Sequence, residues 1–87
     1  MTKINIYCLF DMSNELHGVY SSIQAVHGDA LKLANRGTSG VHIQRPEGPT
    51  RPTVRLLRNI LKGQIDVKVN YYSDSGVVTI LKTGLKE

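Results

Sequence analysis

All three prolines of this 87-residue chain, Pro46, Pro49 and Pro52, crowd into one short stretch with Gly48. Proline lacks an amide hydrogen and has a fixed φ, so Arg45–Pro52 cannot continue a helix or run through the middle of a sheet. The segment reads as a loop with polyproline-type stretches. Regular structure must therefore form separately before it and after it.

Before the loop, Lys3–Asp11 alternates Ile4, Ile6, Cys8 and Phe10 with Asn5, Tyr7, Leu9 and Asp11. Both sets are largely apolar, which predicts a central strand covered on at least part of each face. Met12–Glu15 is a polar turn. Leu16–Tyr20 is a second strand, with Gly18 marking a bulge or a close backbone approach, and the two strands make a hairpin. Ser21 or Ser22 is a suitable N-cap for a helix over Ser22–Asn35, where Ile23, Val26, Ala30, Leu33 and Ala34 recur at helical spacing. Gly37 occupies a C-cap position, and Gly28 weakens the helix interior by about 1 kcal/mol relative to alanine. Ser39–Gln44 is a third strand with Val41 and Ile43 inward.

After the loop, Pro52 and Thr53 open a second helix that runs to Lys62 and is closed by Gly63. Val54, Leu57 and Leu61 form its apolar stripe, with Ile60 at the edge. Gln64–Tyr72 alternates Ile65, Val67, Val69 and Tyr71 against Asp66, Lys68, Asn70 and Tyr72, as a half-buried strand does. Ser73–Gly76 is a hairpin turn, Val77–Lys82 the returning strand and Thr83–Glu87 a frayed tail. The order β-β-α-β-α-β-β predicts an α+β two-layer sandwich, with five strands in a mainly antiparallel sheet covered by two helices. Residues 1–87 form a single domain by this reading. A thin sheet with an uncovered face or edge makes a homodimer an expectation as well.

Charge is distributed unevenly. The formal net charge is +4, yet residues 1–31 are net acidic and residues 63–87 are neutral. The segment 32–62 holds Lys32, Arg36, Arg45, Arg51, Arg55, Arg58 and Lys62 against Glu47 alone. Arg51, Arg55, Arg58 and Lys62 are spaced by four, three and four residues, so a helix brings them within roughly a quarter turn of one another. No acidic residue lies between Gly48 and Ile65. An unneutralised, arginine-rich face suits phosphates, which the guanidinium fork binds in bidentate fashion. The competing reading is a solvated face that keeps a small protein soluble. Tyr72, sharing its strand face with Lys68 and Asn70, is a candidate stacking platform for unpaired bases.

Catalytic signals are sparse. There is no glycine-rich phosphate-cradling motif. Cys8 reads as a buried, inert thiol, and His17, His27 and His42 are scattered without metal-ligand spacing. Asp11, followed by Glu15 and His17, leaves a metal-dependent nuclease as the minor alternative, although a carboxylate ending a strand is also an ordinary turn residue. No cofactor, metal or catalytic residue is expected. The lone cysteine fits a cytoplasmic protein, and no apolar run approaches the length of a signal peptide or membrane span.

Ile6-Tyr7-Cys8-Leu9-Phe10-Asp11, followed by Gly18-Val19-Tyr20-Ser21-Ser22 and a helix containing Ala25 and Ala30, resembles a group of small bacterial and phage domains. In that group a strand, a "GVYS" strand and an alanine-containing helix recur. The resemblance covers about residues 4–35. In size, charge and lack of catalytic motifs the chain is also similar to accessory, anti-defence proteins of T4-type phages. Among these are TifA-like RNA-binding inhibitors of the ToxN toxin. That likeness implies RNA-dependent sequestration of a toxin ribonuclease in the host cytoplasm.

The leading expectation is a non-enzymatic RNA-binding protein whose basic patch comprises Arg45, Arg51, Arg55, Arg58 and Lys62. Arg36, Lys32, Lys68 and Tyr72 are the outer candidates. The alternative is a protein-binding inhibitor of a host defence enzyme that acts through the same basic surface.

Overall fold

A computed structural model describes residues 3–34, 40–63, 65–74 and 76–86, with backbone alone at residues 3, 4, 85 and 86. The elements in chain order are β1 (Lys3–Phe10), β2 (Leu16–Tyr20), α1 (Ile23–Ala34), β3 (Ile43–Arg45), β4 (Gly48–Thr50), α2 (Val54–Leu61), β5 (Val67–Ser73) and β6 (Gly76–Lys86). The chain is α+β, as the pattern predicts, with two helices and wholly antiparallel pairing among these strands.

The strands divide differently from the expected five-stranded sheet. β2-β1-β6-β5 form one four-stranded sheet, and β3-β4 form a separate two-stranded ribbon. The ribbon is the main correction. Arg45–Pro52, read as a loop, contains β4, so the order becomes β-β-α-β-β-α-β-β. Prolines suit such a short, peripheral ribbon: Pro49 pairs opposite Gln44, and Gly48 takes φ 124° at the return, where few side chains are tolerated. A single bridge, His42 opposite Tyr72, attaches the ribbon to the edge of β5.

Other readings also differ. β6 runs on through the supposed frayed tail, because Lys3–Ile6 of β1 needs a partner and finds it in Thr83–Lys86. Ile65 is not part of β5. It is exposed in a bend ahead of the strand, with its Cδ1 placed where a side chain on residue 84 would clash, a position that Gly84 leaves open. Cys8 is only partly buried rather than in the core, since alternation turns Tyr7 and Leu9 inward and Cys8 outward. The helix C-cap position at Gly37 and the residue Ser39 lie outside the described residues, but the expected third strand over Ser39–Gln44 is shorter and shifted: β3 begins only at Ile43, with His42 making an isolated bridge to Tyr72.

α1 lies across all four strands of the large sheet, and α2 packs beside α1. The molecule's smallest dimension, 18 Å, is that of one helical layer on one sheet. The core comprises Leu9, Val26, Ala30, Leu57, Leu61, Val69, Tyr71, Val78 and Ile80, with Tyr7, Ala34 and Ile43 around them. The opposite sheet face carries partly buried Ile6, Cys8 and Phe10 and the exposed Leu16 and Val19. The bulge near Gly18 is present: the register shifts so that His17 is the extra residue between Leu9↔Gly18 and Phe10↔Leu16.

Polar side chains tie the layers together. The Tyr20 hydroxyl donates to Asp29 Oδ2 at 2.6 Å, joining β2 to α1. Burial, with the Asp29 carboxylate beside it, pushes the Tyr20 pKa up to about 12. His27 Nδ1 lies 2.7 Å from the hydroxyl of the fully buried Tyr71, joining α1 to β5. The two rings meet edge to face at 5.8 Å. Desolvation holds the His27 pKa below its ordinary value.

Tyr71→Phe leaves a buried imidazole nitrogen without its partner and is expected to cost about 1–3 kcal/mol in denaturant unfolding. The His27 linkage has a definite sign. The unfolded chain takes up the proton first, so this contribution is present above the ordinary pKa of 6.5 and is lost as pH falls below it. The melting temperature of the wild type between pH 7.5 and 5.5 is expected to drop more than that of His27→Gln.

Candidate nucleic-acid interface

The positions of the basic residues follow from how α2 begins and ends. Thr53 is the N-cap: its backbone is extended (φ −137°, ψ 161°) and its hydroxyl accepts from the Leu56 amide at 3.0 Å. The helix proper is therefore Val54–Leu61. Pro52 lies just ahead of the cap, not in the first turn, and is buried. Lys62 is the C-cap with an extended backbone, and Gly63 at φ 68° supplies the reversal that a side chain would resist.

The stripe of four is thus helical only at Arg55 and Arg58. Arg51 precedes the cap and Lys62 follows the last helical residue, so neither is aligned by helical geometry. All four are exposed. The sequence pairing of faces otherwise holds: Leu57 and Leu61 are fully buried, Val54 and Ile60 partly so. Among the described residues, no carboxylate pairs with any of these cations. Lys32 is exposed in the last turn of α1. Arg36 lies outside the described residues.

The remaining candidates come together elsewhere. Arg45 ends β3 rather than lying in a loop, and it shares a groove of about 200 Å³ with Lys68 and Tyr72 of β5. Ile43, Val69 and Ile60 supply the apolar part of this groove, and Gln44 and Asn70 its neutral polar part. The Tyr72 ring is not a bare platform. It is half-buried and stacks on His42 at 5.7 Å and 22°. Asn70 is clamped in the same network: its Oδ1 accepts from the Thr79 hydroxyl at 2.9 Å, and its Nδ2 donates to the Tyr72 oxygen at 3.3 Å.

At 100° per residue, Ile60 stands about 160° from Arg58 and about 140° from Arg55 around α2. The groove beside Ile60 and the two helical arginines, Arg55 and Arg58, therefore face in different directions. Period-2 alternation makes Asn70 visible as a neighbour of Lys68 and Tyr72. No sequence signal points to His42, Gln44 or Ile60, because their place depends on the β3–β5 bridge.

Asp11 has a local role. Its Oδ1 accepts from the amides of Ser13 and Glu15 at 2.9 and 3.0 Å, which organises the β1–β2 turn. Glu15 and His17 are exposed. Among the described residues, no group of three His, Cys, Asp or Glu side chains stands close enough to hold a metal ion. No helix among them is long and apolar enough to cross a membrane.

No protein-family model, curated protein or solved structure matches the chain. The site must be read from its own residues.

Thr53→Ala removes the only side-chain cap of α2 among the described residues. It is expected to lower stability by about 1 kcal/mol in denaturant unfolding and to speed amide exchange in the first turn that carries Arg55.

Proposed function

We propose that this chain is a small RNA-binding protein with no catalytic role of its own. One observation carries the reading: Arg51, Arg55, Arg58 and Lys62, clustered in and around α2, are all exposed and have no carboxylate partner among the described residues. Cations held on a packed helix without counter-charges attract a polyanion by releasing its condensed counterions. The guanidinium fork binds two phosphate oxygens at once and can also stack on a base, a contact that a surface of carboxylates does not offer. RNA is preferred to duplex DNA because α1 and α2 are separated by β3 and β4 and so do not form a helix-turn-helix, and the two-stranded ribbon is tied to the edge of β5 by the His42–Tyr72 bridge. The likeness in size and charge to TifA-like inhibitors extends the proposal to RNA-dependent sequestration of a host ribonuclease toxin by a phage protein.

The test compares the wild type with Arg55→Glu/Arg58→Glu. The chain has no tryptophan and four tyrosines, so nucleic acid carried through a low-salt purification would dominate its ultraviolet spectrum. The wild type is expected to show a 260/280 nm ratio that ribonuclease lowers and the double variant lacks. Affinity for a single-stranded RNA is expected to fall with salt at a log–log slope of magnitude about 3, the value for about four phosphate contacts. A clean wild-type protein indifferent to salt and to the double variant would sink the reading. A protein complex that survives ribonuclease would favour the alternative, an inhibitor that docks its basic face on an acidic partner.

A further inference from the structure

The groove between β3 and β5 differs in kind from the cationic stripe. Its volume of about 200 Å³ is below the roughly 300–1,000 Å³ of sites for drug-sized ligands and is on the scale of a single flat ring. Ile43 and Val69 are almost fully buried and give it an apolar floor, and Ile60 of α2 closes one side. A phosphate would find no use for that floor, whereas the face of a nucleobase would.

The rim is rich in hydrogen-bond donors. The Tyr72 oxygen already accepts from Asn70 Nδ2, which leaves the phenolic proton free to point outward. The ring itself is held by its stack on His42. Asn70 is committed on both ends of its amide, to Thr79 and to Tyr72, so it positions Tyr72 rather than contacting a ligand. Gln44 places Nε2 3.3 Å from His42 Nε2, which orients its carboxamide at the mouth of the groove. Arg45 and Lys68 add two charged donors with no acidic partner among the described residues.

Phenol, guanidinium and ammonium all donate, and the Gln44 carboxamide can both donate and accept. This set complements a base edge with carbonyl oxygens, which uracil and guanine present and adenine does not. Arg45 and Lys68 can at the same time meet the flanking phosphates.

We infer that this groove takes one keto-bearing base of single-stranded RNA, with Tyr72 and Gln44 reading its edge and Arg45 and Lys68 on the adjoining backbone. The inference rests on the RNA-binding reading above and assigns sequence preference to a different surface from the one that supplies general affinity. Since Ile60 and the arginines face apart on α2, the two contributions separate by mutation.

The experiment measures fluorescence anisotropy of the full chain with labelled ten-nucleotide oligo-uridine and oligo-adenosine at one salt concentration. The proteins are the wild type, Tyr72→Phe, Gln44→Ala and Arg55→Glu/Arg58→Glu, with melting curves of each. The wild type is expected to bind oligo-uridine at least about fivefold more tightly, the scale of one net hydrogen bond. Tyr72→Phe and Gln44→Ala are expected to bring the ratio toward one. Arg55→Glu/Arg58→Glu is expected to weaken both oligomers while keeping the ratio. Gln44 is exposed, so its variant carries the test even if Tyr72→Phe unfolds. A wild type that binds both equally or favours adenosine, or a uridine preference that survives both groove variants, overturns the groove and leaves the RNA reading in place. A wild type that binds neither oligomer overturns both.

Discussion

One buried contact ties the end of α2 to the large sheet. Lys82, on the helix-facing side of β6, is almost fully buried and donates from Nζ to the Leu61 carbonyl at 2.7 Å. An ammonium in such a place is costly unless its hydrogens find acceptors, and the last carbonyls of a helix lack intrahelical partners. Each group meets the other's need, and the favourable direction of the helix dipole adds to the attraction. α2 is only two turns long, too short to persist alone, so its packing on α1 and this anchor to the sheet decide where its charged side points. Leu57 and Leu61 then fill the core, and Arg55 and Arg58 are left on the solvent side.

The same anchoring explains why the basic residues divide into two surfaces. With Leu57 and Leu61 inward, Ile60 turns toward the edge of β5, where the small ribbon is attached by the His42↔Tyr72 bridge. The ribbon brings Arg45 to Lys68 and Tyr72, residues far apart in the chain. Charge without geometry gives general, salt-sensitive attraction. Charge around a small apolar recess, with oriented neutral groups beside it, gives discrimination. Arg55 and Arg58 on one side of α2, and the groove that Ile60 borders on another, are these two arrangements.

Most of the architecture was legible. The helical spacing of Ile23, Val26, Ala30 and Ala34, the cap at Ser22, and the alternation in Val67–Tyr72 led to the right elements within a few residues, because each is a local pattern with a local physical cause. What was misread involves pairing across distance. The proline-rich segment hides β4 because proline argues against a central strand and says nothing against a two-stranded ribbon. Thr83–Lys86 carries little strand signal and is drawn into β6 by the unpaired amides of β1. Cys8 was placed inside because both faces of β1 are apolar, and alternation alone cannot say which face the helices cover.

For the interface, local pattern was sufficient to establish that an arginine-rich, acid-free helix is present, since spacing, charge and capping are all encoded within about a dozen residues. It was not sufficient to say that Arg55 and Arg58 face away from the groove that Arg45, Lys68 and Tyr72 share. That depends on strand order, on a single bridge between His42 and Tyr72, and on which way the apolar side of α2 turns to reach the core. These are contacts between residues distant in sequence, and only the packed chain brings them together.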